Sequence, residues 1–170
     1  MVLAKQIIES MEQWAPPHYA ESWDNVGLMV GSKQRDVSKI ITTLDITPEV
    51  IEYAIVEQAQ MIISHHPFIF KGLKSLHLDS PQGKLIEKLI KNDIVVYSAH
   101  TNLDITIGGL NDMLANRLGL TNVRGFVPTG SDMVYKITTF VPTDSADAVR
   151  EAMASAGAGR IGNYESCSFS

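Results

Sequence analysis

The sequence predicts an α/β fold made of βαβ units around a largely parallel sheet covered on both faces. Two observations carry that prediction: short apolar runs recur, each closed by a polar or turn-forming residue, and segments of helical period separate them. A third is compositional. The chain has 170 residues, 45% hydrophobic and 19% charged, close to the average for a globular chain, so collagen, coiled coil and disorder are disfavoured. A chain of this length buries roughly 70% of its unfolded surface and folds without a structural metal or staple.

In chain order, Leu3, Ile7, Ile8, Met11 and Trp14 recur at helical spacing and Pro16-Pro17 stops them, giving an opening amphipathic helix of about three turns. The loop Glu21-Ser-Trp-Asp-Asn-Val-Gly then leads into a short apolar strand at Leu28 to Val30. Lys39 to Leu44 reads as a buried strand closed by Asp45, after which Thr47 caps and Pro48 starts a helix running to about Ala59. The unit repeats, with Met61 to Ser64 as a strand ending at His65-His66-Pro67 and Gln82 to Asn92 as its helix. Ile94 to Ala99 is the third strand, ending at His100-Thr-Asn-Leu-Asp104, and Gly109 to Leu118 is a helix stopped by Gly119. After the turn-rich Pro128-Thr-Gly-Ser-Asp a second unit is expected from Met133, with a strand at Val134 to Val141 and a helix from about Ser145 to Ala156. Tyr164 onward reads as the start of a further strand, so residues 1–128 and 133–170 are the expected domains, the second one partial.

Composition also excludes function classes. Fourteen basic and nineteen acidic side chains give a net charge of -5, with no lysine or arginine run, which speaks against nucleic acid as a partner. The single cysteine, Cys167, permits no internal disulfide, no thiolate zinc cage and no Cys-x-x-Cys pair, so a reducing cytoplasm is the expected compartment. No apolar stretch is long enough to cross a bilayer, and no membrane association is expected.

The chemistry is concentrated at strand ends: Asp45 after the first βαβ strand, His65 and His66 after the second, His100 and Asp104 after the third. In a parallel sheet the carboxyl ends share one edge, where such folds place their sites. Imidazole nitrogen with carboxylate oxygen and no thiolate suits zinc, iron, manganese, cobalt or nickel. Adjacent side chains on an extended strand point apart, and Pro67 biases His66 toward extended backbone, so His65 and His66 are expected to splay toward two ions. One of the pair facing substrate is the alternative. Lys71 and Lys74, just beyond, are candidate phosphate contacts or a plain solvated loop. His18 and His77 read as solvated loop residues, Cys167 lacks a basic neighbour that would activate it, and Trp23-Asp-Asn-Val-Gly27 reads chiefly as a turn.

Four segments, Trp-Asp-Asn-Val-Gly-Leu at 23–28, Leu-Asp-Ile-Thr-Pro-Glu at 44–49, Ser-His-His-Pro at 64–67 and His-Thr-Asn-Leu-Asp at 100–104, together resemble the Nif-three-like dinuclear metal centre proteins, the GTP cyclohydrolase I type 2 homologs. The resemblance covers residues 1–128 closely. Residues 133–170 are similar to the start of the ferredoxin-like, PII- and CutA-like domain inserted in longer members. It implies a three-layer α/β/α fold, a homohexameric toroid and two divalent transition-metal ions facing its cavity. By motif position, His65 and His66 would bind one ion each, Asp104 would join His66, and His100 would stand beside the site as proton carrier, substrate contact or occasional ligand. The family adds a histidine and a bridging glutamate from a His-x-x-x-Glu segment; Glu165 does not match it, since Ile161 stands where the histidine is required, so the site is expected to be incomplete in this chain.

The function this implies is metal-dependent hydrolysis, with a GTP-cyclohydrolase-like opening of a purine nucleotide as its specific form. The alternative is a non-enzymatic, metal-stabilised oligomeric scaffold or regulator. A third reading places a single iron on His66, His100 and Asp104 for oxygen chemistry.

Overall fold

In the computed structural model, which describes residues 1–125, 135–160 and 164–169, the chain divides into two units, Met1–Gly130 and Ser131–Ser170. The first is a mixed α/β unit. Its elements are β1 (Val2–Leu3), α1 (Ala4–Trp14), a 3-10 turn (Pro17–Tyr19), β2 (Gly27–Val30), β3 (Asp36–Val37), β4 (Ile40–Thr43), α2 (Pro48–Val56), β5 (Met61–Ser64), α3 (Pro81–Lys91), β6 (Val95–Ser98), α4 (Thr101–Ile105) and α5 (Leu110–Arg117).

Four strands form the main sheet in the order β2-β6-β5-β4. The strands β4, β5 and β6 are parallel, as βαβ connections require, and β2 joins β6 antiparallel with an irregularity between Leu28 and Val30. The sheet is therefore mixed, one edge strand departing from the expected parallel set. Central β6 is buried on both faces, which explains its unbroken apolar run. Val96 joins Ile62, Val30, Ile51 and Leu89 on the side covered by α2 and α3. Val95 and Tyr97 join Met61, Ala4 and Ile8 on the side covered by α1. Alternate residues of one strand thus feed two cores, and the sheet lies between helical layers.

Helix starts follow local chemistry. Thr47 Oγ1 accepts the Val50 N–H and Pro48 sits in the first turn of α2; Ser80 Oγ accepts the Gly83 N–H and Pro81 does the same for α3. At Gly83 a Cβ would lie 1.9 Å from the His77 carbonyl oxygen, so no larger residue fits where the long loop closes on α3. Gly27 has φ +105°, a conformation that favours glycine, as the chain turns into β2.

The register of the parallel strands decides where the site forms. Thr43, Ser64 and Ser98 align across β4, β5 and β6, so the three strands end at one level. Ser64 and Ser98 are buried and their hydroxyls lie 2.9 Å apart, while Ser64 Oγ donates to the His66 carbonyl.

Among its described residues the second unit holds a 3-10 turn (Thr143–Ser145), helix α6 (Ala146–Ser155) and a bridge residue, Tyr164. The expected helix is present. The expected strand at Val134 to Val141 is not: Met133 and Val134 lie outside the described residues, and residues 135–141 are not in a strand. Tyr135, Ile137 and Phe140 are largely exposed there and, among the described residues, have no ladder partner of the kind a strand needs.

Candidate metal centre

The parallel register brings three imidazoles to one place. His65 and His66 follow β5 directly, and His100 precedes α4 at the end of β6. One ring nitrogen from each of His65, His66 and His100 lies within 4.8 Å of the others. The expected splaying of His65 and His66 does not occur: their ring centroids are 5.2 Å apart. The alternation that separates neighbours holds within a strand, and β5 has ended at Ser64, where the chain bends.

Each imidazole is held from behind by its Nδ1. His65 Nδ1 lies 3.0 Å from the Ala99 carbonyl oxygen, His66 Nδ1 is 2.7 Å from Asp45 Oδ1, and His100 Nδ1 is 2.9 Å from Asp24 Oδ1. A carbonyl oxygen or a carboxylate can only accept, so a neutral ring in each position carries its proton on Nδ1 and keeps its lone pair on Nε2. Asp104 Oδ1 stands 3.7 Å from His65 Nε2, beyond hydrogen-bond reach. Three imidazoles gathered in this way, each offering one ring nitrogen within 4.8 Å of the others, have the chemistry of a cation site. Among the sequence-predicted residues, His65, His66 and His100 form the cluster, Asp104 borders it on the His65 side, and Asp45 supports His66 from behind.

Asp24 is the residue that sequence reasoning passed over. Its side chain has no accessible surface. Oδ1 accepts from His100 Nδ1 and from the Asn25 N–H at 2.8 Å; Oδ2 accepts from the Thr101 hydroxyl and from the Thr101 N–H at 3.1 Å. Burial pushes its carboxyl toward higher pKa, but the bonds from Thr101, His100 and Asn25 outweigh that and hold it below the ordinary carboxylate value. Asp24 therefore stays ionised and orients His100. The only signal in the sequence is its membership of the Trp-Asp-Asn-Val-Gly segment, because its partners are 76 and 77 residues away.

The His-Thr-Asn-Leu part of the His-Thr-Asn-Leu-Asp segment is fixed at every position. Asn102, fully buried, accepts the His100 N–H at 2.9 Å and donates to the Ala15 carbonyl at 2.7 Å, tying α4 to the end of α1. Thr106 Oγ1 donates to the Trp14 carbonyl at 2.7 Å, and Leu103 packs with the α1-side core. At the start of α5 a Cβ on Gly109 would lie 2.1 Å from the Leu103 carbonyl, so that turn needs glycine.

An open cavity of about 290 Å³ adjoins the cluster, lined by Thr42, Thr43, Leu44, His65, Leu103 and Leu110. Trp23 edges toward His100, with ring centroids 6.2 Å apart and planes at 76°, and toward Phe70 at 6.1 Å. Lys71 and Lys74 are exposed on the loop beyond. His18 is exposed in the 3-10 turn and His77 in the loop before α3. Cys167 is free and exposed, and Glu165 Oε1 lies 3.7 Å from Arg160. No helix among the described residues is long and apolar enough to cross a membrane.

A family model for Duf34/NIF3 (NGG1p interacting factor 3) matches residues 2–169. The chain is 44% identical over 163 residues to a GTP cyclohydrolase 1 type 2 homolog of Halalkalibacterium halodurans, covering 96% of this chain and 44% of that protein. It is 44% identical over 169 residues to the Bacillus subtilis protein of the same name, covering 99% of this chain and 45% of that one. Among solved structures, a Bacillus cereus protein related to NIF3 superposes with a TM-score of 0.72 at 42% identity, over 99% of this chain and 46% of the other. The chain thus spans less than half the length of these relatives.

Proposed function

The chain belongs to the DUF34/NIF3 family, and from that premise we propose that its strand-end cluster holds divalent transition-metal ions and serves the hydrolytic opening of a purine nucleotide. One observation carries the metal part of the reading. His65, His66 and His100 each have Nδ1 tied to an acceptor oxygen, one ring nitrogen of each lies within 4.8 Å of the others, and Asp104 Oδ1 stands 3.7 Å from His65 Nε2. The names of the 44%-identical relatives support the purine part.

In this proposal His65, His66 and Asp104 hold the metal, two ions in the complete site. A bound ion supplies Lewis-acid polarisation and a water of lowered pKa. His100 moves the proton: Nε2 accepts it as water adds to the ring carbon between the two imidazole nitrogens, and returns it to the ring nitrogen released when the adjacent carbon–nitrogen bond breaks. Water and nucleotide are then fully accounted for as the formamide product. Ionised Asp24 balances the imidazolium that forms, at 2.9 Å from Nδ1. Assembly as a six-copy ring in the cytoplasm belongs to the same proposal.

The test is elemental analysis of the purified chain and of His66→Ala, together with ring opening of GTP followed by loss of the purine absorbance. The expected outcome is transition metal bound to the wild-type chain, depleted in His66→Ala, with turnover falling in parallel. Turnover indifferent to His66→Ala would sink the metal mechanism, and metal binding without any ring opening would favour the scaffold reading.

A further inference from the structure

Trp23 is 58% exposed and Phe70 44% exposed, two large apolar rings that the cores leave outside. Neither is loosely placed. The residue after Trp23 is Asp24, whose carboxylate receives four hydrogen bonds, and the next, Asn25, donates through Nδ2 to the carbonyl of Ile69, immediately before Phe70. One side-chain bond therefore locks the Trp23 loop to the Phe70 loop, and the rings stand 6.1 Å apart with planes inclined at 56°. Trp23 also meets His100 edge-on. The result is a pre-ordered aromatic wall with an open ring face, contiguous with the imidazole assigned to move the proton.

We infer that Trp23 and Phe70 form the subsite that binds the planar heteroaromatic ring of the substrate, Trp23 by stacking and Phe70 by edge contact, so that the ring carbon to be attacked is held beside His100 Nε2. The inference deepens the nucleotide-hydrolysis reading and rests on it for the class of ring. Stacking suits this geometry: at 56° the two walls cannot sandwich a ring between parallel faces, so one face of the ligand lies on Trp23 and its edge meets Phe70. The charge next door agrees. Lys71 follows Phe70 directly and Lys74 lies three residues on, both exposed and, among the described residues, without an ion pair. A ring on Phe70 would carry its anionic tail toward that pair.

The chain has two tryptophans, so Trp14→Phe leaves Trp23 as the only indole and its fluorescence as the local probe. The expected result is saturable quenching of Trp23 by guanosine and by GTP but not by tripolyphosphate, in the zinc-loaded protein and in its His66→Ala variant alike. By calorimetry, Trp23→Ala should weaken GTP binding about 5- to 150-fold, the range for loss of one base stack, with Trp23→Phe restoring most of it. Tripolyphosphate affinity should not change. Unchanged GTP affinity in Trp23→Ala overturns the subsite while leaving the metal reading intact, and quenching that survives in a His66→Ala variant without metal or turnover upholds the subsite. If Trp23→Ala instead alters the sedimentation of the protein with no effect on nucleotide binding, the aromatic wall is a subunit contact and the inference fails.

Discussion

Replacing Asp24 by Asn keeps the shape and removes the charge, and the four bonds around the carboxylate set the consequences. An amide has one acceptor oxygen and one NH2 group, whereas Asp24 offers two acceptor oxygens to four donors. If Oδ1 keeps facing His100 and Asn25, the new NH2 meets the Thr101 N–H, donor against donor. If the amide turns round, the NH2 meets the Asn25 N–H and can donate to His100 Nδ1, which must then become an acceptor and shift its proton to Nε2. Either orientation strands a backbone N–H in a site with no accessible side-chain surface, at a cost of about 1–3 kcal/mol. The second orientation also removes the Nε2 lone pair from the cluster.

Two measurements read these effects separately. Urea unfolding of Asp24→Asn should show a loss of about 1–3 kcal/mol at constant m-value. The imidazole 15N spectrum should show His100 as the Nδ1–H tautomer in the wild type and partly or wholly as Nε2–H in the variant. On the proposed function, ring opening of GTP should fall by about 10²- to 10⁴-fold, the usual contribution of a positioned proton carrier. A variant of wild-type stability with an unchanged His100 spectrum would mean that Asp24 neither satisfies these donors nor sets the tautomer, and the positioning role would have to be abandoned.

Asn102→Ala strands the His100 N–H and the Ala15 carbonyl in a fully buried position, so a loss of about 2–5 kcal/mol in urea unfolding is expected; a loss under about 1 kcal/mol would contradict the assigned bonds. Tyr97 is fully buried and, among the described residues, its hydroxyl has no hydrogen-bond partner, so Tyr97→Phe should raise stability at neutral pH by up to about 1–3 kcal/mol. Burial, and secondarily the charge of Glu12, push the Tyr97 phenol up to about 12 from 10.0. The unfolded chain therefore ionises first as pH rises: stability from this group is complete below pH 10, declines between 10 and 12, and about 3 kcal/mol is gone above that. Unfolding curves at pH 8 and pH 11 should show this slope in the wild type and its absence in Tyr97→Phe.

The strands β5 and β6 were legible as short apolar runs bounded by polar residues, α1 by its helical apolar spacing and α2 by Thr47 and Pro48 at its start; β4 was legible as a strand but not in its burial, since it is the half-exposed edge of the sheet. What escaped was short or non-local. The strands β1 and β3 have two residues each and exist only because Val2 and Leu3 pair with Val37 and Asp36, a contact across more than thirty residues that no window along the chain detects. Helix α4 is five residues long, too short to show a period, and is held by Asn102 and Thr106 rather than by propensity. Residues 135–141 illustrate the converse error, an apolar alternation that finds no pairing edge among the described residues. The site shows the same division. The histidines were visible as ligand types at strand ends, but their closeness depends on the alignment of Thr43, Ser64 and Ser98, and the role of Asp24 depends on a fold that brings residue 24 to residue 100.

That division also explains why Trp-Asp-Asn-Val-Gly and His-Thr-Asn-Leu-Asp act as one structural unit despite their separation. Asp24 holds His100 and Thr101, while Thr101 Oγ1 in turn accepts the Glu21 N–H just before the first segment. Asn25 ties that segment to the loop following the histidine pair, and Asn102 ties the second segment to the end of α1. Every one of these bonds joins residues at least 44 positions apart. The bonds that close the fold over this edge of the sheet are therefore the same bonds that aim the imidazole of His100. A substitution in either segment should consequently disturb stability and site geometry together, whereas loss of His66, whose exposed ring is hydrogen-bonded to exposed Asp45 and otherwise meets the rings of the site, should disturb the site alone.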